Sequence, residues 1–500
     1  MTRVPLARYP GMNRFVLDWL GGDARFLPRR TPIAARRRDV APALVDALRT
    51  SNAHWGLSVA EPLARWASQP TLTFVAGQQV GFAGGPLYTL AKLATLVKMK
   101  RDAEAHGTPA TAFFWLATED HDFDEVATLN VPVAALPRTK DVNRQRDLVC
   151  MRAARTAEPR AAVGSLPVPD PLIEQLLSLF GLPRPHWLRA GITFRDSFAE
   201  LVAQLFGDEV ILVDALLPEL RRAGAPLFAQ LHARNDEIQR ALHERGEALA
   251  QAGYAEQVVA RDGDVYTLLF DLDAHGNRVP AMPGQQPERT STSALTRPLL
   301  QDSVLQPDVF IGGPAEVAYY AQISTLHELL DIAMPRIALR GHALVAPKRV
   351  ARAIERYGLD AESLFRAPDA LLAEREPEGV AKIRELASDA KRDLFARIDA
   401  IRELALPADH SLAGSIQRSV GHLDYHFNKL AERAIKGLVR KDRERYAATR
   451  ELVATLFPDG HVQDRVVSWF AYWQEHGAQL VERMVEEIEP DADVFKVVEV

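Results

Sequence analysis

The chain has 500 residues, of which 47% are hydrophobic and 25% charged, and its formal net charge is −6 at pH 7. This is ordinary globular composition, and an acidic chain is not typical of a dedicated nucleic-acid-binding protein. No apolar run reaches transmembrane length, and the single cysteine, Cys150, excludes an intramolecular disulfide. We therefore expect a cytoplasmic protein with a large buried core and neither a nucleic-acid nor a membrane partner.

Two apolar runs in the first third of the chain predict buried strands, and each is followed by a polar loop. Residues 71–76 (TLTFVA) lead into GQQVGFAGGP, and residues 111–117 (TAFFWLA) lead into TEDHDFDEV. Between them, apolar residues at helical spacing from Leu90 to Val97 predict a helix. This order indicates a parallel βαβ unit. In open α/β sheets ligands bind where such strands end, so both loops are candidate site segments.

The α/β pattern continues and is then interrupted. Further strands are predicted at residues 210–214, 308–311 and 337–339. Residues 216–295 differ in character, with a long polar helix at about 227–252, short strands and a loop rich in Pro, Gly and Ser. We interpret 216–295 as an inserted connecting subdomain, which divides the core into a first part, 1–215, and a second part, 296–349.

Residues 350–500 have a helical pattern throughout. Two long segments carry apolar residues three and four positions apart: Ile383, Ala387, Ala390, Leu394, Ile398, Ile401 and Ala405 in the first, and Ile416, Val420, Leu423, Phe427, Leu430 and Ala434 in the second. With Pro407 and Gly414 marking the turn, this predicts an antiparallel helical hairpin with a coiled-coil seam. A third helix is predicted with one face made of Val466, Phe470, Trp473, Leu480 and Met484. The fold class is therefore α/β with a C-terminal α-helical antiparallel coiled-coil domain.

Three blocks of sequence resemble motifs of the bacillithiol-biosynthesis cysteine-adding enzymes, and they occur in that family's order. The first is GQQVGFAGGPLYTLAKLATLVKMK followed by FFWLATEDHDFDEV. The second is RPLLQDSVLQPDVFIGGPAEVAYYAQ leading to MPRIALR. The third is FPDGHVQDR, in which Gln463-Asp464-Arg465 stands where the family is expected to have Gln-Glu-Arg. The resemblance covers nearly the whole chain.

The resemblance implies a fold and an activity. The fold is a Rossmann-like core with small connecting subdomains and a helical coiled-coil domain that supports a homodimer. The activity is that of a ligase adding L-cysteine to glucosaminyl malate in the last step of bacillithiol biosynthesis, and adenine nucleotide (ATP or ADP, with Mg²⁺) is the expected cofactor. Two alternatives stay open: a nucleotidyltransferase-like enzyme acting on another sugar or acid, and a non-catalytic dimeric coiled-coil module.

The glycine-rich loop after the first strand is a predicted binding segment. Glycines permit positive φ and close backbone approach, and a strand-to-helix junction favours an anion. The loop has neither the dinucleotide nor the P-loop spacing, so a tight structural turn is the alternative. Two adjacent amides, Gln78 and Gln79, favour binding because they are poor turn formers but useful hydrogen-bond partners. The substrate-binding candidates are Gly77, Gln78, Gln79, Gly84 and Tyr88.

The acidic segment after the second strand holds the predicted catalytic residues, His121, Asp120 and Glu119. Histidine is the side chain that ordinarily changes charge near neutral pH, so His121 is assigned to binding phosphate or acting as an acid or base, and either carboxylate can receive an ammonium group. The alternative is structural, because Asp122 with Glu125 fits a capping box. No zinc-type spacing is present, so no metal ligands are assigned, and a transient Mg²⁺ held with nucleotide phosphates stays open.

The block from residue 297 to residue 340 contributes further candidates. Arginine suits bidentate recognition of the two carboxylates of malate, and Arg297 and Arg336 are the first choices. Gly312-Gly313-Pro314 forms a second strand-end turn that can line the same crevice. The alternative is that the tyrosines pack in the core and the arginines are solvated. The substrate-binding candidates here are Arg297, Gln301, Asp302, Gly312, Gly313, Glu316, Tyr319 and Arg336.

The helical region supplies the candidate cofactor residues. By analogy with the family, Lys429, Arg433 and Lys436 are assigned to nucleotide binding, against the alternative of a solvated helix face. Cys150 lies outside the motifs and has no neighbouring base in sequence, so we expect a buried or incidental thiol and not a nucleophile.

Overall fold

The structure is a computed structural model that describes residues 3–136, 146–153, 161–259, 265–272, 278–356, 379–439 and 443–500. The chain forms two compact units. The first comprises residues 1–347 together with 461–500, and the second comprises residues 348–460.

The strands among the described residues all belong to the first unit. They are β1 (Arg3–Pro5), β2 (Leu72–Gln78), β3 (Ala110–Leu116), β4 (Thr128–Pro132), β5 (Leu148–Arg152), β6 (Ile211–Asp214), β7 (Leu269–Leu272), β8 (Arg278–Pro280), β9 (Ser291–Thr292), β10 (Val309–Gly312), β11 (Arg336–Leu339), β12 (His342–Ala346) and β13 (Val494–Glu499).

Helices occur in both units. In the first they are α1 (Arg14–Leu20), α2 (Pro42–His54), α3 (Ala60–Ser68), α4 (Leu87–Ala105), α5 (Phe123–Val126), α6 (Asp170–Phe180), α7 (Phe194–Phe206), α8 (Pro218–Ala223), α9 (Ala225–Ala233), α10 (Asn235–Gln251), α11 (Arg297–Leu305), α12 (Pro314–Leu329), α17 (Gln463–Val466), α18 (Phe470–His476) and α19 (Ala478–Glu487). In the second they are α13 (Lys348–Arg356), α14 (Val380–Ala405), α15 (Leu412–Val439) and α16 (Arg443–Leu456).

A five-stranded parallel sheet forms the centre of the first unit, in the order β11-β10-β2-β3-β6. All of β3 is buried, as the continuous apolar run predicts for a parallel strand. From β2 the chain adds β3 and β6 on one side, and it later adds β10 and β11 on the other. The point between β2 and β10 is therefore a topological switch, where open α/β sheets form a crevice beyond the carboxyl ends of the strands.

The predicted core strands are confirmed within two residues at each end, and the β2–α4–β3 unit is parallel. The predicted helix at about 227–252 is interrupted at Arg234, which separates α9 from α10. Within the predicted subdomain, β7 pairs antiparallel with β8 and with β9.

The last forty residues differ from the prediction of a helical segment. The predicted third helix is divided into α17, α18 and α19, because Val467 is extended and Gly477 has a φ of 58°. The chain then forms β13, which is rich in valine, and β13 lies between β1 and β12. Residues 461–500 consequently belong to the first unit and not to the helical one.

The second unit contains the predicted antiparallel hairpin of α14 and α15. Lys391 of α14 forms an ion pair with Asp424 and donates a hydrogen bond to Asn428, both on α15. At the other end of the pair, a Cβ added to Gly379 would lie 3.3 Å from Leu438. Early residues of α14 thus meet late residues of α15.

The seam of the hairpin differs from the predicted one along α15. Phe427 is half-buried as predicted, but Asp424 and Ala431 are half-buried where Leu423 and Leu430 were expected. Those two leucines are 37% and 65% exposed, on the flank of the seam. Among the described residues, no helix is long and apolar enough to cross a membrane.

Candidate active site

A cavity of about 590 Å³ opens beyond the carboxyl ends of β2, β3 and β10, at the topological switch. Its walls include ten of the candidates from the sequence: Gly77, Gln78, Gln79, Tyr88, Asp120, Arg297, Gln301, Gly313, Glu316 and Tyr319. The two strand-end loops and the block that starts at Arg297 therefore face one crevice, although they are up to about 240 residues apart in sequence. We name this cavity the switch-point crevice.

Five further residues with a charged or hydrogen-bonding side chain line the switch-point crevice without being among the assigned site residues. They are Lys92, Trp115, Glu125, Arg340 and Arg465. Of these five, only Lys92 and Trp115 lie outside any polar sequence motif, because Lys92 is in an apolar helix and Trp115 is in an apolar strand. A lone lysine on a buried helical face is the feature that points to Lys92.

Lys92 joins the two sides of the crevice. Its side chain is 4% exposed, and its ammonium group donates hydrogen bonds of 2.8 Å to the Gly77 carbonyl and 2.8 Å to Oε1 of Gln78. The ammonium also lies 2.5 Å from Oε2 of Glu316. Burial lowers the pKa of Lys92, and the neighbouring Glu316 carboxylate opposes that change. The three donors of the ammonium are thus used to hold the end of β2 against the start of α12.

Glu316 also closes the first turn of α12. Its Oε2 accepts a 2.7 Å hydrogen bond from the backbone N–H of Gly313, the N-cap residue. A carboxylate at this position is favoured by the helix dipole. Gly313, Pro314, Ala315 and Glu316 all line the crevice, so the N-terminus of a 16-residue helix faces it.

Gln79 and Asp120 form a pair across the ends of β2 and β3. Nε2 of Gln79 donates a 2.5 Å hydrogen bond to Oδ2 of Asp120, whose Oδ1 accepts from the backbone N–H of His121 at 2.7 Å. Because a carboxylate only accepts, this contact fixes which end of the Gln79 amide faces Asp120. Within the described residues, Oε1 of Gln79 and Nε1 of Trp115 are buried without a hydrogen-bond partner. A ligand is one way of satisfying such groups.

Glu125 adds a second carboxylate to the acidic side of the crevice. Desolvation of Glu125, followed by the charges of Asp122 and Asp120, raises the pKa of Glu125. Asp122 caps α5 by accepting a 3.1 Å hydrogen bond from the backbone N–H of Glu125, which is half of the predicted capping box. The phenol of Tyr88 accepts from Nε2 of Gln78 at 3.4 Å, and burial raises the pKa of Tyr88.

The late motif Gln463-Asp464-Arg465 reaches the crevice from the opposite side. Arg340, at the end of β11, donates a 3.1 Å hydrogen bond to Oδ2 of Asp464, which is fully buried. Arg465 donates a 3.0 Å hydrogen bond to the phenol oxygen of Tyr9. Gln463 instead serves the fold, since its side-chain amide exchanges hydrogen bonds of 2.7 and 2.8 Å with the backbone of Val345.

Two of the predicted catalytic residues lie outside the lining of the crevice. Glu119 is 5% exposed, pairs with Arg221 at 3.3 Å and accepts a 2.9 Å hydrogen bond from Thr292. That geometry ties β3 to the inserted segment. His121 is half-buried beside Asp120 and is not among the lining residues.

Four predicted substrate-binding residues also lie outside the lining, each in a structural contact. A Cβ on Gly84 would lie 2.1 Å from the Trp469 ring, whose Nε1 donates to the Gly84 carbonyl at 2.9 Å. Asp302 accepts a hydrogen bond from the Tyr320 phenol at 3.1 Å and contacts His327 at 2.9 Å. The Gly312 carbonyl accepts a hydrogen bond from the backbone N–H of Arg340 at 2.8 Å. Arg336 forms an ion pair with Asp491 at 3.2 Å.

The candidate cofactor residues Lys429, Arg433 and Lys436 are exposed on α15. Lys429 donates a 2.9 Å hydrogen bond to the phenol of Tyr425, one turn earlier. Cys150 is exposed on β5, so it is not the buried thiol that was one of the two expectations. No group of three or more His, Cys, Asp or Glu side chains in the described ranges is arranged to hold a metal ion.

Two family models together match nearly the whole chain. "Bacillithiol biosynthesis BshC, N-terminal Rossmann-like domain" matches residues 23–279 and 277–341. "Bacillithiol biosynthesis BshC, C-terminal coiled-coil domain" matches residues 343–500.

Similar proteins carry the name "Putative cysteine ligase BshC". One from Solibacter usitatus is 30% identical over 478 residues, which cover 89% of this chain and 87% of the relative. One from Koribacter versatilis is 30% identical over 534 residues, covering 97% of each chain. One from Geobacillus kaustophilus is 27% identical over 514 residues, covering 95% of this chain and 93% of the relative.

Proposed function

Because this chain belongs to the bacillithiol biosynthesis BshC family, we propose that it is a cysteine ligase of bacillithiol biosynthesis. The bond formed is an amide between the carboxyl of L-cysteine and the amine of glucosaminyl malate, in the last step of the route. The reaction takes place in the cytoplasm, at the switch-point crevice.

The observation that carries this proposal is the presence of both signs of charge in one crevice. Its walls contain the carboxylates of Asp120 and Glu125 and the cationic groups of Arg297, Arg340 and Arg465. L-cysteine presents an ammonium and a carboxylate, and glucosaminyl malate presents an amine and two carboxylates. A crevice with acidic and basic sides can therefore orient two such substrates relative to each other.

A carboxylate is a poor electrophile, so the cysteine carboxyl must be activated before an amide forms. ATP with Mg²⁺ supplies that activation when bound, by providing a leaving group on the carboxyl. The N-terminus of α12 suits the phosphate oxygens of the nucleotide. The site residues then act by position and charge more than by covalent chemistry.

Asp120 and Glu125 have separate proposed roles in the attack of the amine. Asp120, held by Gln79, orients the amine nitrogen. The nitrogen attacks the activated carbonyl carbon, the C–N bond forms, the C–O bond to the leaving group breaks, and the amine proton passes to Glu125. The raised pKa of Glu125 supports this role, because a stronger base accepts a proton more readily near neutral pH.

Turnover by the purified protein tests the proposal. We expect bacillithiol by mass spectrometry when L-cysteine, glucosaminyl malate, ATP and Mg²⁺ are all present. Glu125→Gln should lower kcat by about 100-fold, the usual scale for loss of a general base. Asp124→Asn is the matched control on the same helix, since Asp124 is exposed and pairs with Arg152 at 2.7 Å, and it should leave kcat unchanged.

Two results would contradict the proposal. One is a folded protein that forms no bacillithiol but exchanges pyrophosphate into ATP without cysteine, which favours the nucleotidyltransferase alternative. The other is a deletion strain with normal bacillithiol, which favours the non-catalytic module.

A further inference from the structure

The two arginines on the basic side of the switch-point crevice are held by a continuous set of contacts. Arg465 donates to the Tyr9 phenol at 3.0 Å, the phenol donates to Oδ1 of Asp464 at 2.7 Å, and Arg340 donates to Oδ2 of Asp464 at 3.1 Å. One guanidinium thus bonds the buried carboxylate directly, and the other is linked to it through the Tyr9 phenol. The N-terminal segment, β11 and the late motif each contribute to this set, which we name the arginine clamp (Tyr9, Arg340, Asp464 and Arg465).

The buried members of the arginine clamp are held rigidly, so they can fix the directions of the guanidinium groups. Asp464 is fully buried, and Tyr9 and Arg340 are 3% and 4% exposed. Burial, and then the Asp464 charge, raises the pKa of Tyr9, so the phenol keeps its proton and donates it to Asp464. The Tyr9 ring also stacks on Phe495, with centroids 4.7 Å apart, which locks the phenol in place.

The charge of the arginine clamp favours an anion of more than one charge. The clamp has two guanidiniums and one carboxylate, of which Arg340 contacts the carboxylate directly and Arg465 contacts the Tyr9 phenol, so its own charges sum to a net positive charge. Each guanidinium has five N–H donors, and the described contacts use two of Arg340 and one of Arg465. Guanidinium donors match the oxygens of carboxylates and phosphates in pairs.

We propose that Arg340 and Arg465 form the subsite for a dianionic group of a substrate, with Asp464 and Tyr9 as positioning residues. Two sources share this chemistry: the dicarboxylate of the malyl group, an identification that rests on the proposed function, and the phosphates of a nucleotide. The contrast with Arg336 is informative. Arg297 and Arg336 were the arginines first expected to bind malate. Arg297 lines the crevice, whereas Arg336 is paired with Asp491 and does not.

Direct binding tests this subsite without any turnover. The full chain is titrated with L-malate and, separately, with inorganic phosphate, and stabilisation against heat is measured for each. Arg465→Gln should weaken the affinity for one of these dianions by at least about tenfold, since it removes a charge-assisted contact. Arg222→Gln is the control, because Arg222 is an exposed arginine of the same unit that pairs with Glu288 at 2.6 Å.

The two ligands distinguish the two sources. Loss of the malate response identifies the dicarboxylate, and loss of the phosphate response identifies a nucleotide phosphate. An unchanged response to both, or no response of the wild-type protein to either, would overturn the proposal. If Arg465→Gln loses dianion binding but the wild-type protein forms no bacillithiol, the proposed function is contradicted and the subsite is not.

The KM values for the three substrates distinguish a specific role of the arginine clamp in binding from a general loss of protein stability. If the dicarboxylate is the ligand, Arg465→Gln should raise KM for glucosaminyl malate about tenfold and leave KM for ATP and cysteine within about twofold. Tyr9→Phe should raise the same KM by a smaller factor, and Arg465→Lys should restore only part of the loss because it keeps the charge but not the fork. An equal rise in all three KM values would contradict a specific subsite.

Discussion

His342 lies on β12 next to the arginine clamp, and its titration should be visible in the stability of the fold. The residue is 1% exposed, and burial, followed by the charges of Arg340 and Arg465, lowers its pKa well below 6.5. In the unfolded chain the imidazole titrates near its ordinary value of about 6.5. Between these two pKa values the unfolded state binds one more proton than the folded state. The free energy of unfolding should therefore fall as the pH drops below about 6.5, by up to about 1.4 kcal/mol per pH unit.

Urea unfolding from about pH 7 to about pH 5.5 measures this contribution. His342→Leu should remove that part of the slope, because the buried position then carries no titrating group. His461→Gln serves as the control, since His461 is an exposed histidine of the same unit. Identical pH slopes for the wild type and His342→Leu would show that the histidine is not buried as a neutral group.

At the scale of elements, the strands of the central sheet could be predicted and the partners of individual side chains could not. Continuous apolar runs bounded by Gly and polar loops identify β2 and β3, since parallel strands are covered on both faces. Lys92 could not be assigned, because its partners lie in Gly77, Gln78 and Glu316, and the last is more than 200 residues away. Local patterns carry no information about such contacts.

The dependence on distant partners also explains why Glu119 and Asp302, which were predicted at the site, do not line the crevice. Glu119 was predicted at the site because it follows a buried strand, and Asp302 because it belongs to the block that starts at Arg297. In the structure Glu119 is turned to Arg221, and Asp302 accepts from Tyr320. A motif shows that polar groups are grouped in sequence, whereas the direction of each side chain depends on distant partners.

Gln463 of the late motif stabilises strand β12 through hydrogen bonds of its side-chain amide. Among the described strands, β12 pairs with β13 alone, and the Gln463 amide bonds both backbone groups of Val345. Gln463→Leu leaves those two groups unpaired, so we expect the free energy of unfolding to fall by about 2–4 kcal/mol. Chemical denaturation gives this value, and hydrogen exchange at the Val345 amide should become faster.

A matched variant makes this prediction specific. Gln257 donates to the Ala255 carbonyl at 2.9 Å in an exposed contact, so Gln257→Leu should cost less than about 0.5 kcal/mol. Equal costs for the two variants, or unchanged exchange at Val345, would show that the amide does not bridge the strand edge.

At the scale of the whole molecule, the helical hairpin presents apolar residues that its own seam does not cover. Leu404 is 83% exposed and Leu430 65% exposed. Exposed leucines on a coiled-coil flank favour association, and a second copy of this chain is the partner that the family resemblance implies. We therefore expect a homodimer that forms through the hairpin.

Light scattering after gel filtration measures the mass of the assembly. The wild type should have the mass of two chains, and Leu423→Glu combined with Leu430→Glu should have the mass of one. Ser419→Glu is the control, because Ser419 is already an exposed polar residue of α15. A monomeric wild-type protein, or a double variant that stays dimeric, would contradict this arrangement.

A crystal structure with glucosaminyl malate bound would show whether the switch-point crevice binds this substrate. We expect the amine within hydrogen-bond distance of Asp120 and the two carboxylates against Arg340 and Arg465. A second cleft of about 770 Å³, lined by His54, Arg195 and Asp214 beside β6, provides the contrast. Glucosaminyl malate bound in that cleft, with the switch-point crevice left empty, would contradict the account.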